Sequence, residues 1–413
     1  MTCTALFALA CSAAAASSRP ATSVRSPRDA SARVVRIALA ESQDRVVLSA
    51  ADAWRIYAAD GTTLVALTEP GERWVLTREG RYLRAAREDS RPVTARETFM
   101  IARPLATSGS VGFGGRRYRG DLMVIATDGG MLVVNRLPMD DYLRGVVPLE
   151  IGTSAVADAS AVEAQAVTAR SYAVTHLAGA SRPFDMRATV ADQVYGGSGV
   201  ETNVGNLAVA STSGLVLLYA GRVVNAPYFS TCGGTTAEPQ DVWRTRGEPY
   251  LQRVSDQVPG SARFYCDNAP KYRWTQSFGR DALRERLLQY VRTLPGARRD
   301  FAIVRHVGVT DVTPAGRVAV LTVETDRGTI ALRGNEMRSA LRLASGELLY
   351  STYFSVDETA GRDGVEQLTL RGGGNGHGVG MCQSGAIGRA RAGQDFRTIL
   401  RTYYPGTTVG TID

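Results

Sequence analysis

Lysine is almost missing from this chain: Lys271 is the one lysine in 413 residues, and histidine occurs only three times. The first scarcity excludes a P-loop, which needs Gly-Lys-Ser/Thr opening a helix, although the stretch "RGGGNGHGVGMCQSGA" (Arg371 to Ala386) is crowded with glycine. No acidic ribose partner follows that stretch about 20 residues on, so it is not a dinucleotide fingerprint either. The second scarcity, with no H-E-x-x-H pattern, argues against a metal-dependent hydrolase built on His377 and Cys382. No basic helix, zinc-finger spacing or aromatic RNA-binding motif is present, which removes nucleic acid as a partner. No apolar run reaches the ~20 residues that a membrane-spanning helix needs. Lys+Arg exceeds Asp+Glu by 48 to 40, a formal net charge of +8. That excess is nearly all arginine and is scattered, so it reads as a compositional preference that remains compatible with an anionic glycan.

The N-terminus, "MTCTALFALACSAAAASSRPATS", has an apolar alanine-rich run over residues 5 to 16 and then small polar residues. It predicts an export signal over residues 1–16, with Cys11 as a lipoprotein-type alternative, and a linker over 17–32. The mature protein is expected in the periplasm or cell envelope, soluble or lipid-anchored at Cys11. Three cysteines would then remain, Cys232, Cys266 and Cys382. An odd number cannot all pair within one chain. One disulfide plus a free thiol is one outcome; a structural zinc with His377 as fourth ligand is another. The spacings are wide and there is no C-x-x-C to choose between them.

Short alternating stretches recur over residues 33–108, such as "WRIYAADGTTLVAL" and "RWVLTREGRYLRAA", punctuated by Asp60-Gly61 and Glu79-Gly80. They predict a β-rich N-terminal module with hairpins. Residues 109–413 read as one α+β unit of mixed β-hairpins and a few helices. In it "DLMVIATDGGMLVV" is a hairpin turning at Asp128-Gly129-Gly130. The clearest helix is "ASAVEAQAVTARSYAVTHLAG", with a capping-box spacing at Ser160 and Glu163 and a stop at Gly179. A second helix is expected from an N-cap Asp281 to about Thr293, with Leu283, Leu287 and Val291 on one stripe. A third runs from an N-cap Asp395 through Tyr403. The glycine-rich stretch leads into another helix, so its loop sits at a helix N-terminus, where N–H groups point outward.

Four passages occur in order: "RLPMDDYLRGVVPLEI" (136–151), "VEAQAVTARSYAV" (162–174), "NAPYFSTCGGTTAEPQDVW" (225–243) and "GGGNGHGVGMCQSGA" (372–386). Together they resemble the stage II sporulation protein D family, also called the SpoIID/LytB domain family, over roughly residues 119 to 409. The resemblance implies a SpoIID-like fold and a lytic transglycosylase acting on peptidoglycan, with preference for strands stripped of stem peptides. It places the catalytic acid at Glu150. Asp140 and Asp141 match the family's acidic positions, Gln165 and Arg170 its helix motif, and His377, Gly378, Gly380 and Gln383 its glycine-rich motif. Gln165, Arg170, Tyr195, His377 and Gln383 are the expected substrate contacts, with Arg170 facing glycan carboxylates and Tyr195 or Trp243 stacking on sugars. The glycines would let backbone lie close under a sugar ring.

This chain departs from the family pattern at Ile151-Gly152, where Met-Pro is usual, and at Glu163, where lysine is common. Cys232 and Cys382 both stand where serine is frequent, which favours a cysteine pair or a metal over two free thiols. The implied chemistry needs one carboxyl group with a raised pKa and no cofactor. Val146, Val147, Pro148, Leu149 and Ile151 give Glu150 apolar neighbours. The alternative is a non-catalytic glycan-binding protein that enhances a cell-wall amidase.

Overall fold

A computed structural model describes residues 33–412, apart from 89, 92–95, 154, 180 and 296–299. The signal and linker expected over residues 1–32, with Cys11, lie outside the described residues. The class is α+β.

Each alternating stretch of the N-terminal region forms strands. Trp54–Tyr57 pairs with Leu64–Leu67 around Asp60-Gly61, and Arg73–Glu79 pairs with Tyr82–Arg87 around Gly80. In each strand one face is apolar and buried, as in Trp54 and Ile56 or Trp74 and Leu76. Asp121–Thr127 and Gly130–Pro138 form the expected hairpin, with Thr127 opposite Gly130.

These strands do not close on themselves. Val34–Gln43 pairs antiparallel with Gly130–Pro138, Val34 opposite Pro138. Phe99–Pro104 pairs on its two sides with Asp121–Thr127 and Trp54–Tyr57. The boundary drawn at 108/109 therefore falls inside one seven-stranded sheet. The reason is the edge: a β-module ending at Val34–Gln43 would leave a row of unpaired backbone groups, and the hairpin after residue 120 covers them. A five-stranded sheet packs against this one, and both share a core with the first helices.

Helix α1 (Met139–Ile151) follows directly from strand Gly130–Pro138. Helix α2 (Ala159–Thr175) buries residues on every side, from Val162 and Gln165 to Arg170 and Ala173. Its start differs from the capping box expected at Ser160. Asp158 precedes the helix, and its carboxylate is held by Thr153 and Arg391. Glu163 instead accepts from the Ser211 hydroxyl at 2.8 Å. The helix ends at Thr175, short of Gly179. Helix α3 (Asn203–Ser211) and the short α4 (Pro239–Trp243) follow.

Residues 274–370 hold an apolar cluster of their own. Helix α5 (Arg280–Arg292) packs Leu283, Leu287 and Val291 there on the expected stripe, capped by Gly279 with Asp281 in its first turn. Two three-stranded sheets and α6 (Glu336–Ala340) complete this cluster. The body after residue 109 is thus two cores rather than one. The chain then returns to the first core through the glycine-rich loop, α7 (Gln383–Arg391) and α8 (Phe396–Tyr403). Asp395 caps α8 by accepting from the Thr398 N–H at 2.7 Å.

The glycines of the loop are there for close packing against the protein's own backbone and side chains. A Cβ on Gly380 would stand 2.0 Å from the Pro227 carbonyl, one on Gly376 2.7 Å from Phe229, and one on Gly378 2.8 Å from the Arg317 guanidinium. The loop spends its glycines on segment 227–232, residues 272–274 and Arg317, so the expectation of glycines laid under a sugar is replaced by one of glycines laid on protein. Gly380→Ala should cost ~2–5 kcal/mol, positive-φ strain plus overpacking. Gly393→Ala, at a similar φ of 82° but with open space around it, should cost only about 1 kcal/mol. Urea unfolding of both variants checks the difference.

Candidate functional site

Glu150 lies in the last turn of α1, a helix weakened there by its own sequence. Pro148 has no N–H to donate back to the Arg144 carbonyl, and Gly152 ends the helix at φ 67°. The carboxyl group therefore sits at the negative end of the helix dipole, which favours its protonated form. It is partly buried, and burial raises its pKa above 4.5. Two donors oppose that rise without cancelling it. The Val194 N–H donates to Glu150 Oε1 at 2.7 Å, and the Tyr228 hydroxyl hydrogen-bonds to the same side chain. Among the described residues no other charged group contributes to the shift.

Three consecutive residues build this wall of the site. Gln193 is fully buried, accepts from the Tyr142 hydroxyl at 3.1 Å and donates to the Tyr228 hydroxyl at 3.0 Å. Val194 supplies the N–H. Tyr195 is 1 % exposed, donates from its hydroxyl to Asn135 Oδ1 at 2.8 Å, and packs on Tyr142. A Cβ on Gly145 would meet the Tyr195 ring at 2.5 Å, which explains the glycine in "DYLRGVV". Tyr195 is thus a core residue, and the expectation that it stacks on a sugar does not hold.

Two further expected contacts are also buried. Arg170 is fully enclosed, with Nη2 donating to Asp140 Oδ1 at 2.8 Å and to the Val209 carbonyl, and Nη1 to the Leu215 carbonyl. It ties α2 to the start of α1 and does not reach a glycan carboxylate. Gln165 is fully buried and accepts from Gln383 Nε2 at 3.2 Å, so this pair joins α2 to α7. The sequence motif marked packing residues here because a buried polar pair demands fixed partners just as a ligand does.

His377 is half-buried. Its Nε2 donates to the Tyr228 carbonyl at 2.9 Å and its Nδ1 accepts from the Val379 N–H at 3.1 Å. Both nitrogens are committed, and the ring is neutral: burial first, then Arg338 and Arg317, push its pKa down to about 3. His377 therefore positions Tyr228. Trp243, more than a third exposed, lies with its ring 5.0 Å from that of His377 and is the accessible aromatic of this region.

The structure brings Cys232, Cys266 and Cys382 together, all buried, with Cys232 and Cys266 sulfurs 3.4 Å apart. Asp256, which the sequence reading passed over, joins them; His377 does not. Burial pushes the thiols of Cys232 and Cys382 up, while hydrogen bonds from these two, Thr231 and Gly234 pull Cys266 down to about 3. A cleft of about 540 Å³ opens beside this cluster, edged by Gly152 and Thr153 just beyond Glu150, by α7, and by residues Arg263 to Pro270.

Two family models match the chain. One, described as a stage II sporulation protein (SpoIID), covers residues 127–219, the helices and strands around Glu150. The other, described as a domain of unknown function, covers residues 261–380, which includes the second core. An uncharacterized protein of Brachyspira hyodysenteriae is 32% identical over 298 residues, covering 71% of this chain and 73% of that protein. The chain belongs to the SpoIID family. The stage II sporulation protein D of Bacillus subtilis is 29% identical over 297 residues, 68% of this chain and 76% of that one. The amidase enhancer of the same organism is 29% identical over 308 residues, and this SpoIID chain spans 40% of its length.

Two variants separate the buried pair from the raised acid. Arg170→Ala empties a fully buried position and leaves the partly buried Asp140 without its cation, and should lower stability by about 3–5 kcal/mol, seen in urea unfolding. Glu150→Gln should do the reverse. The folded pKa of Glu150 is raised, so the fold binds its proton more tightly than the unfolded chain, and stability falls as pH rises from 4.5 through the folded value. Glutamine lacks that loss, so the melting temperature of the variant should exceed the parent's at pH 7 and converge with it below pH 4.5.

Proposed function

We propose that this SpoIID protein is a peptidoglycan lytic transglycosylase that cleaves between N-acetylmuramic acid and N-acetylglucosamine, with Glu150 as its single acid and base. The observation that carries the reading is the setting of Glu150: a partly buried carboxyl group at the end of α1, held by the Val194 N–H and Tyr228, with its pKa raised by burial. Hydrolytic glycosidases of the usual kind use two carboxylates, ~5–9.5 Å apart. A single acid suits the non-hydrolytic route. Protonated Glu150 gives its proton to the glycosidic oxygen as the bond to C1 breaks. The C6 hydroxyl of the muramic acid then attacks C1, and the carboxylate takes that hydroxyl's proton, so the acid is restored and a 1,6-anhydro ring closes. Val194 N–H and Tyr228 hold the carboxylate in the intermediate stage, when it is charged.

Strands stripped of stem peptides are the proposed substrate, as the family resemblance implies; the arginines that edge the cleft beside Gly152, Arg263 and Arg391, are already paired with Asp267 and Asp158. Catalysis by this route needs no cofactor, and the setting is the cell envelope, after export. The similarity to a protein named amidase enhancer favours a second reading, a glycan-binding protein that assists an amidase.

Mass spectrometry of products from purified stripped strands tests both. Anhydro-ended fragments are expected, and Glu150→Gln should lower their rate of release at least ~10²-fold with the fold intact. The acid limb should also be visible in the pH profile: kcat/KM should fall as pH rises through a single ionisation above 4.5, with none assignable to His377. Near-parental cleavage by folded Glu150→Gln would reject the mechanism, and strands bound but unchanged would favour the second reading.

A further inference from the structure

We propose that Cys232, Asp256, Cys266 and Cys382 form a closed, four-ligand structural site for a zinc-class metal ion, with Asp256 as the fourth ligand. The donor atoms of all four residues lie within 4.8 Å of one another, and all four are buried. Beside the 3.4 Å between the Cys232 and Cys266 sulfurs, Asp256 Oδ2 stands 3.4 Å from the Cys232 sulfur. With zinc–sulfur bonds of ~2.3 Å, a tetrahedral site puts its sulfurs roughly 3.8 Å apart, so the cluster needs adjustments of tenths of an ångström. Thiolates with one carboxylate oxygen suit zinc, and four protein ligands leave no open position for catalysis.

The groups around the four donors are arranged as supports. Asp256 Oδ1 is taken by the Tyr403 hydroxyl at 2.6 Å and by Arg389 Nη2 at 3.0 Å, which leaves Oδ2 facing the sulfurs. Backbone N–H groups donate to sulfur from Cys232 and Gly385 to Cys382, each at 3.2 Å, and from Gly234 to Cys232 at 3.3 Å. Such donors stabilise thiolates, as do the outer partners of metal ligands generally. A Cβ on Gly385 would stand 2.0 Å from Asp256 Oδ2, so the glycine is what lets the carboxylate approach α7.

Charge supplies an independent argument. Two guanidinium groups are buried beside the cluster. Arg389 is 6 % exposed, and Arg317, 2 % exposed, has Nε and Nη1 without partners. Three thiolates, one carboxylate, one divalent cation and these two arginines sum to zero. A Cys232–Cys266 disulfide would remove two of the thiolates and leave two buried cations facing one carboxylate and one thiol, a costly imbalance in a low-dielectric interior. The site also has a structural consequence. Cys232 is four residues from Tyr228, and Cys382 caps α7 through the Gly385 N–H. The metal would fasten both segments to the loop around residues 256–266, with release of the thiol protons.

Full-length protein purified without chelator should hold about one zinc per chain, lost on Asp256→Asn or Cys382→Ser. The cobalt(II)-exchanged protein should show the visible bands of a tetrahedral thiolate site. Tyr403→Phe keeps all four ligands, and should weaken zinc about 10–100-fold in competition with a chromophoric chelator. That measurement still decides if the ligand variants fail to fold. Zinc, and not magnesium, should restore the melting temperature of chelator-stripped protein. Metal-free protein with a Cys232–Cys266 disulfide in non-reducing peptide maps, or with three titratable free thiols, would overturn the proposal, as would unchanged zinc affinity in Tyr403→Phe. None of these readouts depends on glycan cleavage.

Discussion

The backbone of the glycine-rich loop lies directly on the segment that carries Tyr228. Two residues of parallel strand make the contact, Tyr228 opposite Met381 and Phe229 opposite Cys382. Around them the approach is too close for side chains at Gly374, Gly376 and Gly380. This contact sets the height of Tyr228 over Glu150, presents its carbonyl to His377 and brings Cys382 beside Cys232. The Tyr404 hydroxyl seals it by donating to the Pro227 carbonyl at 2.7 Å. Parallel pairing needs a long crossover between its strands, and here the crossover is the whole second core.

The acid itself is placed by a different device. α1 is launched from an interior strand of the large sheet and stopped by its own Pro148 and Gly152, so Glu150 emerges where the helix is ending. Gly145 lets Tyr195 press against the helix, and that contact draws Gln193 and Val194 onto Tyr142 and Glu150. Arg170 and Asp140 lock the N-terminal end of the same helix to α2. Most polar residues shared with the family pattern act on this scaffold, which rigidly holds a site with few polar side chains of its own.

One region gathers buried charges and thiols together. Asp256, Arg389, Tyr403, Arg317 and the three cysteines sit where the two cores meet the glycine-rich loop. Burial on this scale is unfavourable unless the charges find one another. Their joint placement is the physical ground for reading the cysteines as ligands, and for regarding the two cores as fastened together at this point.

Local pattern was enough for much of this protein. Period-two alternation and Asp-Gly or Gly-Gly turns located the hairpins, the Leu283–Leu287–Val291 stripe located α5, and Asp395 located the start of α8. The ordered motifs identified Glu150 as the acid to examine. These are properties of near neighbours in the chain. Burial is not, which is why Arg170, Gln165 and Tyr195 read as ligand contacts and turned out to be held inside. Nor is pairing across distance: Val34–Gln43 belongs with Gly130–Pro138, and Asp256 belongs with three cysteines from three segments. No spacing rule joins residues 232, 256, 266 and 382. Only the folded chain, by excluding water from that point and forcing its charges into contact, decides that they meet.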